Sequence, residues 1–477
     1  MFTFAGKLHI NNFSCIMANV IKIKKGLDIN LKGKASDVLL NGGKSESYAI
    51  VPDYYNGIVP KVVAKVGEKV KAGSVLMIDK NRPEIKFVSP VSGEVTAVNR
   101  GEKRKVLSVV VKPEAQVEYE DFGKKNVASL KREEVKEAIQ QAGMWPFIKQ
   151  RPYDIVASPA DEPRDIFVSA FYSAPLAPNF DFIVKGQEAD FQAGLDALAK
   201  LTDGKVYVGI RKGSSVSVKG VETVEVEGPH PAANVGVQIN HIKPVNKGEV
   251  VWTVNPADVI VIGRLFNKGI ADFSRLVVIT GSETTERGYV KAIAGCTISS
   301  LVDGKIMRGN EDIRIISGNV LTGTKVNMDG YLGAYDNQIT VIPEGDETHE
   351  FLGFAMPRFN QFSASHSYFS WLGTSKEYVI DARIKGGKRA MIMSNEYDKV
   401  FPMDIYPEYL LKAIIAFDID KMENLGIYEV APEDFALCEF VDTSKIELQK
   451  IVRDGLNLLY KDCLLYTSPS PRDMRRS

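Results

Sequence analysis

Val-Val-Ala-Lys-Val-Gly-Glu-Lys-Val-Lys-Ala-Gly-Ser-Val-Leu, residues 62–76, sets apolar residues against polar ones and breaks the run at Gly67 and Gly73. Val88-Ser-Pro-Val-Ser-Gly-Glu-Val-Thr-Ala-Val98 repeats the device twelve residues further on. Alternation places one set of side chains on a buried face, and the glycines supply turns, so 44–112 reads as short strands in a small sandwich or barrel.

The phrasing resembles the barrel-sandwich fold of biotinyl and lipoyl carrier domains, which present a lysine at the tip of an exposed hairpin. Asp79-Lys80 falls near that place. Asn81-Arg82-Pro83 follows at once, and Lys80 lies ten residues before Pro90, a longer hairpin than carriers use. Lys80 is therefore read as an ordinary exposed lysine rather than a modified one.

Downstream of this domain the period changes. Val135, Ala138, Ile139 and Ala142 recur at helical spacing, with Gly143 placed to end the helix. Phe191, Leu195, Leu198 and Leu201 stripe a second helix over 188–201. Ile166–Ala170, Lys205–Ile210 and the apolar run Val259–Gly263 read as strands. This alternation over 113–274 predicts a Rossmann-like α/β layer with a parallel sheet. Residues 275–345 return to β, with strands expected at Arg275–Thr280, Arg314–Ser317, Gly318–Lys325 and Gln338–Ile342, the size of a β-grasp module. An aromatic-rich segment and short helices fill 346–462. The last helix, 444–462, opens with Ser444-Lys-Ile-Glu447 in the pattern of a capping box.

The ends read differently. Met17 opens a natural strand start, so 1–16 are expected to be an upstream extension. The stretch Cys463-Leu-Leu-Tyr-Thr-Ser-Pro-Ser-Pro-Arg-Asp473 looks like a translated sequencing adapter, so 463–477 are set aside. The barrel-sandwich domain is then 17–112.

The chain has 477 residues with 60 basic and 60 acidic side chains. Between 17 and 462 the balance is 56 to 59, a net charge of −3. That balance excludes a protein built to coat nucleic acid. No apolar run reaches the length of a membrane-spanning helix. With no basic cluster in view, anionic lipid is expected to repel the chain. Only Cys296 and Cys438 remain between 17 and 462, too few for an iron–sulfur cluster and suited to a reducing compartment.

No G-x-G-x-x-G or Walker A loop is present to cradle a phosphate. No H-E-x-x-H or other paired ligand spacing marks a metal site. His230, in Gly228-Pro-His-Pro-Ala232, sits in a rigid loop leading to a helix near Asn234. There it either meets a ligand or partner at the helix start or bonds to backbone. Ser282, Ser300 and Ser317 lack a nucleophile elbow. No catalytic, cofactor-binding or metal-ligating residue is assigned.

Taken in order, several segments resemble one family. They are Ile21-Lys-Ile-Lys-Lys-Gly-Leu-Asp28, Ala142-Gly-Met-Trp-Pro-Phe-Ile-Lys-Gln-Arg-Pro-Tyr153, Gly228-Pro-His-Pro-Ala-Ala-Asn-Val-Gly236, Thr253-Val-Asn-Pro-Ala-Asp-Val-Ile-Val-Ile-Gly-Arg264 and Gly318-Asn-Val-Leu-Thr-Gly323. They are similar to the A subunits of bacterial Na+-translocating NADH:quinone reductases. Relatives of that family include the flavin-binding subunit of respiratory complex I and the C subunit of a ferredoxin-linked ion pump.

The resemblance implies a barrel-sandwich domain, a Rossmann-like domain, a soluble-ligand-binding β-grasp (SLBB-like) domain and a helical end. It implies a translocase complex that uses NADH, FAD, FMN, riboflavin, iron centres and quinone, with none of them tightly bound here. It also implies a peripheral subunit on the cytoplasmic face of the bacterial inner membrane, joined to the membrane-embedded B subunit, with quinone near the interface. Family members can read C-x-x-x-C-P near the end, where this chain has Cys438 and, in place of the second thiol, Asp442. The alternatives are a redox subunit that itself binds flavin and NADH, or a lysine-modified carrier. Residues expected at a quinone or partner contact are His230, Phe354, Phe359, Phe362 and Trp371, the aromatics being equally compatible with plain core.

Overall fold

The computed structural model describes residues 20–307, 313–345, 356, 358–372 and 376–467 of the chain, with side chains to 462. The expected extension 1–16 and the residue Phe354 lie outside the described residues.

Residues 44–112 fold as their alternation predicts. Tyr48–Ile50, Val106–Pro113, Gly93–Arg100 and Lys69–Val70 form a four-stranded sheet in that order. It faces a three-stranded sheet of Pro60–Val62, Val75–Asp79 and Lys86–Val88. The alternating positions Leu76, Phe87, Val95, Val109 and Val111 close the core between them. Lys80 is exposed, but its hairpin is tied down: Arg82 pairs with Asp79 at 2.8 Å and donates to Gly57 O and Val156 O. Those bonds hold the hairpin against the next domain, unlike a free carrier tip.

The second domain is built on a seven-stranded sheet. Its order is Val20–Lys22, Glu222–Glu227, Val206–Arg211, Ile166–Ser169, Val251–Val254, Ile148–Arg151 and Ile155–Val156. The first five strands are parallel and the last two antiparallel. Ile166 and Val168 point to helices Glu188–Lys200 and Pro256–Lys268. Phe167 points to the other face, where helix Val235–Ile242 packs through Ile239.

Val259–Gly263, expected as a strand, is the middle of the helix Pro256–Lys268. The helix is enclosed on nearly every side, so its apolar run carries no 3.6-residue stripe and reads as a buried strand. Its ends carry the real signal. Asn255 Oδ1 accepts from Ala257 N at 3.1 Å, Pro256 fills the first turn, and Gly269 ends the helix at φ 75°. The helix crosses Glu188–Lys200 at backbone contact through Gly194 and Gly263. A Cβ on Gly263 would lie 1.7 Å from Asp190 O, and one on Gly194 2.1 Å from Val259 O.

The third unit is a mixed six-stranded sheet with a short helix, Ile298–Val302, over its core. Its order is Thr324–Val326, Ile313–Ser317, Gln338–Pro343, Ser274–Thr280, Gly288–Ile293 and Leu39–Leu40. Gly318–Lys325 is not one strand. Asn319 Oδ1 accepts from Leu321 N and Thr322 N, closing a turn before Thr324–Val326.

Helices Pro407–Ile415, Ala436–Val441 and Leu448–Thr467 pack together through Leu410, Leu411, Leu437, Val452 and Leu456, and cover the sheet at Val224 and Val226. The capping box expected at Ser444 does not form. Asp442 takes Ser444 N and Ile446 N, Glu439 takes Gln449 N, and the helix starts at Leu448. It runs to Thr467, past the expected boundary at Asp462.

Two short strands ahead of the barrel-sandwich body pair outside it. Val20–Lys22 joins the α/β sheet beside Glu222–Glu227, and Leu39–Leu40 joins the six-stranded sheet beside Gly288–Ile293. Among the described residues no helix is long and apolar enough to cross a membrane.

Candidate functional site

In open α/β sheets ligands bind in the crevice outside the carboxyl ends of the parallel strands. Here the neighbouring strands Ile166–Ser169 and Val251–Val254 run parallel and end side by side. Both lead on to helices of one face, Glu188–Lys200 and Pro256–Lys268, while Val235–Ile242 packs on the other. A cleft of about 720 Å³ lies at their C-terminal ends, walled as well by the six-stranded sheet and the helical region.

Apolar walls come from Phe147, Phe171, Ala177 and Pro256. Polar groups come from every neighbouring unit. Tyr172 donates its hydroxyl to Asn255 Oδ1 at 3.0 Å, and Asn337 Nδ2 donates to Tyr172 at 3.0 Å. The strand end, the helix cap and the six-stranded sheet thus share one hydrogen-bond chain. Behind it, Arg275 and Asp258 form a buried pair at 2.9 Å, where burial pushes the aspartate up to about 6 against the pull of the guanidinium.

His230 sits in this wall, buried. Ser173 Oγ accepts from Ala233 N at 3.0 Å and shares a hydrogen bond with His230 Nδ1, also at 3.0 Å. Burial pushes the imidazole down to about 4, so it is neutral at pH 7. His230 N donates to Asp28 Oδ1, and helix Val235–Ile242 follows within five residues.

The charged lining is balanced. Lys149 lies 4.3 Å over the Tyr335 ring and 3.8 Å from Asp154. Arg453 of the last helix pairs with Asp154 and also donates to Tyr153 O. Burial opposes ionisation of Asp154, but Lys149, Arg453 and Arg151 together hold it below the usual carboxylate range. Arg151, almost fully buried, donates to Glu433 and Asp434 at 2.9 Å each and to Glu429 O. Burial and the neighbouring Asp434 push Glu433 up to about 7, while Arg151 pulls it down. Because 44% of the Glu433 side chain is open to water, solvation offsets part of that rise. Among the described residues no cluster of His, Cys, Asp and Glu is placed to hold a metal ion. The cleft therefore offers apolar walls, a neutral imidazole and hydrogen-bonding amides. It can bind and orient a ligand with carbonyl or hydroxyl groups.

Of the described residues expected at a contact site, His230 alone lines the cleft. Phe362 packs into the helical core between Tyr378 and Phe440, at 5.7 and 5.9 Å. Phe359 faces Phe369 at 6.0 Å, and Trp371 faces His366 at 6.3 Å; Phe359 and Trp371 are more than half exposed. Asp442, expected as the remnant of a ligand site, is an internal acceptor for Tyr397 Oη at 2.7 Å, and Cys438 is buried beside it. Tyr172, Asn255 and Asn337 were not picked out from sequence. Asn255-Pro256 was legible as a helix start, but the partners are 83 and 82 residues away along the chain.

Family models match three parts of the chain. "NqrA N-terminal barrel-sandwich hybrid domain" covers 21–114, "NqrA second alpha/beta domain" 130–271 and "NQRA C-terminal domain" 276–328. The A subunit of the Na(+)-translocating NADH-quinone reductase from Vibrio anguillarum is 37% identical over 93% of this chain and all of its own length. The chain belongs to the NqrA family. The NqrA-family protein of Hahella chejuensis is 36% identical and that of Neisseria meningitidis serogroup A 35%, each over 93% of this chain and all of its own. A solved NAD+-reducing [NiFe]-hydrogenase chain aligns with 70% of this chain and 62% of its own, at 12% identity and TM-score 0.36, below what supports a shared fold. The NqrA assignment accounts for the barrel-sandwich, α/β and β-grasp units in their order.

Proposed function

We propose that the chain is the A subunit of a sodium-translocating NADH:quinone reductase and works as a peripheral scaffold without a redox centre of its own. The observation that carries this reading is the match over the whole length of relatives so named. Its α/β domain is read as a Rossmann-like fold that has lost its phosphate loop, and 346–462 as its helical end. The other subunits hold the flavins and iron centres, and oxidise NADH.

The chain sits on the cytoplasmic face of the inner membrane against the membrane-embedded B subunit. The cleft at His230 is the place where a quinone or a segment of a partner would be held. Its neutral imidazole and amides suit carbonyl oxygens, and its apolar walls suit a ring. Phe359 and Trp371, exposed on the helical side, belong to the docking surface.

The test is complementation. Membranes from cells carrying the companion subunits but lacking this chain should gain sodium-stimulated quinone reduction by NADH when the chain is expressed. A His230→Ala variant should assemble but raise the KM for quinone. No gain of activity with the unaltered chain would reject the assignment. An unchanged KM in the assembled variant would remove His230 from the site.

A further inference from the structure

The near-zero charge of the chain hides a polarity. Residues 44–112 carry 13 Lys and Arg against 7 Asp and Glu, a net of +6. Residues 113–462 carry a net of −12. The basic side is one small folded unit, the barrel-sandwich domain. Nine of its cations, among them Lys61, Lys65, Arg100, Lys103 and Arg104, form no ion pair among the described residues, whereas Lys69, Lys71, Arg82 and Lys105 do.

The tip of its longest hairpin, Gly93–Arg100 with Val106–Pro113, carries three of them, Arg100, Lys103 and Arg104, around a single Glu102. Lys103 and Arg104 occupy the turn with φ of 53° and 62°. Hairpin turns with two left-handed residues favour Asn-Gly. Two long cations stand there instead, both exposed. Next to Lys61, Lys65 and Lys105 in the chain, apolar side chains are exposed: Val63 at 49%, Val66 at 62% and Leu107 at 42%.

Net charge is the wrong guide to how such a body meets a charged plane. At physiological ionic strength the screening length is about 8 Å, so only the nearest face is felt. The net charge of −3 predicted repulsion from anionic lipid because it averaged over the whole chain. A tip that presents Arg100, Lys103 and Arg104 to the plane is attracted, and the acidic remainder turns away. Beyond the tip the unpaired cations continue to Lys61 and Lys65, with exposed Val63 and Val66 next to them in the chain, and so broad a set of cations interleaved with aliphatic side chains fits a continuous negative plane that also accepts shallow apolar contact.

We propose that the barrel-sandwich domain, led by the Arg100–Leu107 hairpin tip, docks on anionic lipid headgroups and orients the protein on the membrane. This rests on the reading of the chain as part of a membrane complex.

The test is sedimentation of the full chain with phosphatidylglycerol/phosphatidylcholine vesicles and with pure phosphatidylcholine vesicles. Binding is expected to the first only, and to weaken about tenfold or more between low and high salt. The triple variant Arg100→Glu/Lys103→Glu/Arg104→Glu should lose about tenfold in binding with its melting temperature unchanged. The control Lys185→Glu/Lys219→Glu/Lys412→Glu, with the same charge change elsewhere, should bind nearly as the unaltered chain does. Absence of binding to anionic vesicles, or equal loss in both variants, overturns the proposal. So does a hairpin variant that binds vesicles normally yet fails to join the membrane subunits, which would make the occupant an acidic protein. Complementation by the unaltered chain, scored separately, shows whether the assignment to the complex itself stands.

Discussion

Replacing Gly263 by alanine separates two opposed effects. In the middle of a helix this substitution ordinarily stabilises by about 1 kcal/mol through backbone entropy and helix propensity. Gly263, however, lies where helices Pro256–Lys268 and Glu188–Lys200 touch through their backbones. The added Cβ would stand 1.7 Å from Asp190 O and 2.6 Å from Gly194 N. Carbon and carbonyl oxygen approach no closer than about 3.3 Å in ordinary packing. The helices must part by more than an ångström, and backbone atoms cannot rotate aside. Overpacking of this kind costs up to about 3 kcal/mol, so the net loss is about 2 kcal/mol. For a domain of this size that lowers the melting temperature by about 4–8 °C. Gly455→Ala is the comparison. Its Cβ would meet only side-chain atoms of Ile414, at 2.9 to 3.3 Å, and these can turn away. Its melting temperature should stay within a few degrees of the parent. Differential scanning calorimetry reads both. A Gly263→Ala protein as stable as the parent, or more so, would refute the backbone-contact argument.

Arg151→Met leaves the buried Asp434 without its guanidinium and should destabilise the protein by about 3–5 kcal/mol, read as a drop in the urea midpoint. Glu344 is held down at about 2, chiefly by its hydrogen bonds to Arg314 and Lys325. Its contribution to stability is present above its unfolded value near 4.5 and is lost as pH falls toward 2. Glu344→Gln should therefore flatten the fall in melting temperature across that window. His230 is pushed down to about 4 by burial, so the fold loses stability as pH drops from 6.5 to 4. An NMR titration should show its ring neutral at pH 6, and a midpoint near 6.5 would refute the buried assignment. The purified chain should show no flavin bands and no iron–sulfur shoulder in its absorbance spectrum; stoichiometric FMN would overturn the reading of a protein without a redox centre.

What was legible in the sequence followed from how one-sided each element is. The barrel-sandwich strands bury one face, so Val62–Leu76 announces itself. Helix Glu188–Lys200 shows its stripe at Phe191, Leu195 and Leu198 for the same reason. Helix Pro256–Lys268 is buried almost all round, and the stripe disappears into an apolar run. The turn at Gly318–Thr322 was missed because Val320 and Leu321 read as strand residues, while the deciding bond comes from the Asn319 side chain. At the cleft, His230 stood out because two prolines frame it. Tyr172, Asn255 and Asn337 could not be grouped from spacing, since their hydrogen bonds join the end of one strand, the cap of a helix and the start of an interior strand of a different sheet.

The placement of Val20–Lys22 and Leu39–Leu40 bears on how the chain is made. Among the described residues Val20–Lys22 is an edge strand whose one neighbour, Glu222–Glu227, lies some 200 residues later. Leu39–Leu40 waits longer still, for Gly288–Ile293. At synthesis rates of about 5–20 residues per second, the first of these spends roughly 10–40 seconds off the ribosome with no partner strand. Its protection in that interval is compositional. Lys22, Lys24 and Lys25 follow one another closely, and like charges there disfavour pairing with another copy. The same stitching means that 113–274 cut out alone would expose the edge of Glu222–Glu227, which carries Glu222, Glu225 and Glu227 together with Thr223, Val224 and Val226. The β-containing units are thus stitched together by the chain as well as by the shared core that joins the barrel-sandwich and the α/β sheet, and a strand made early is among the last to find its place.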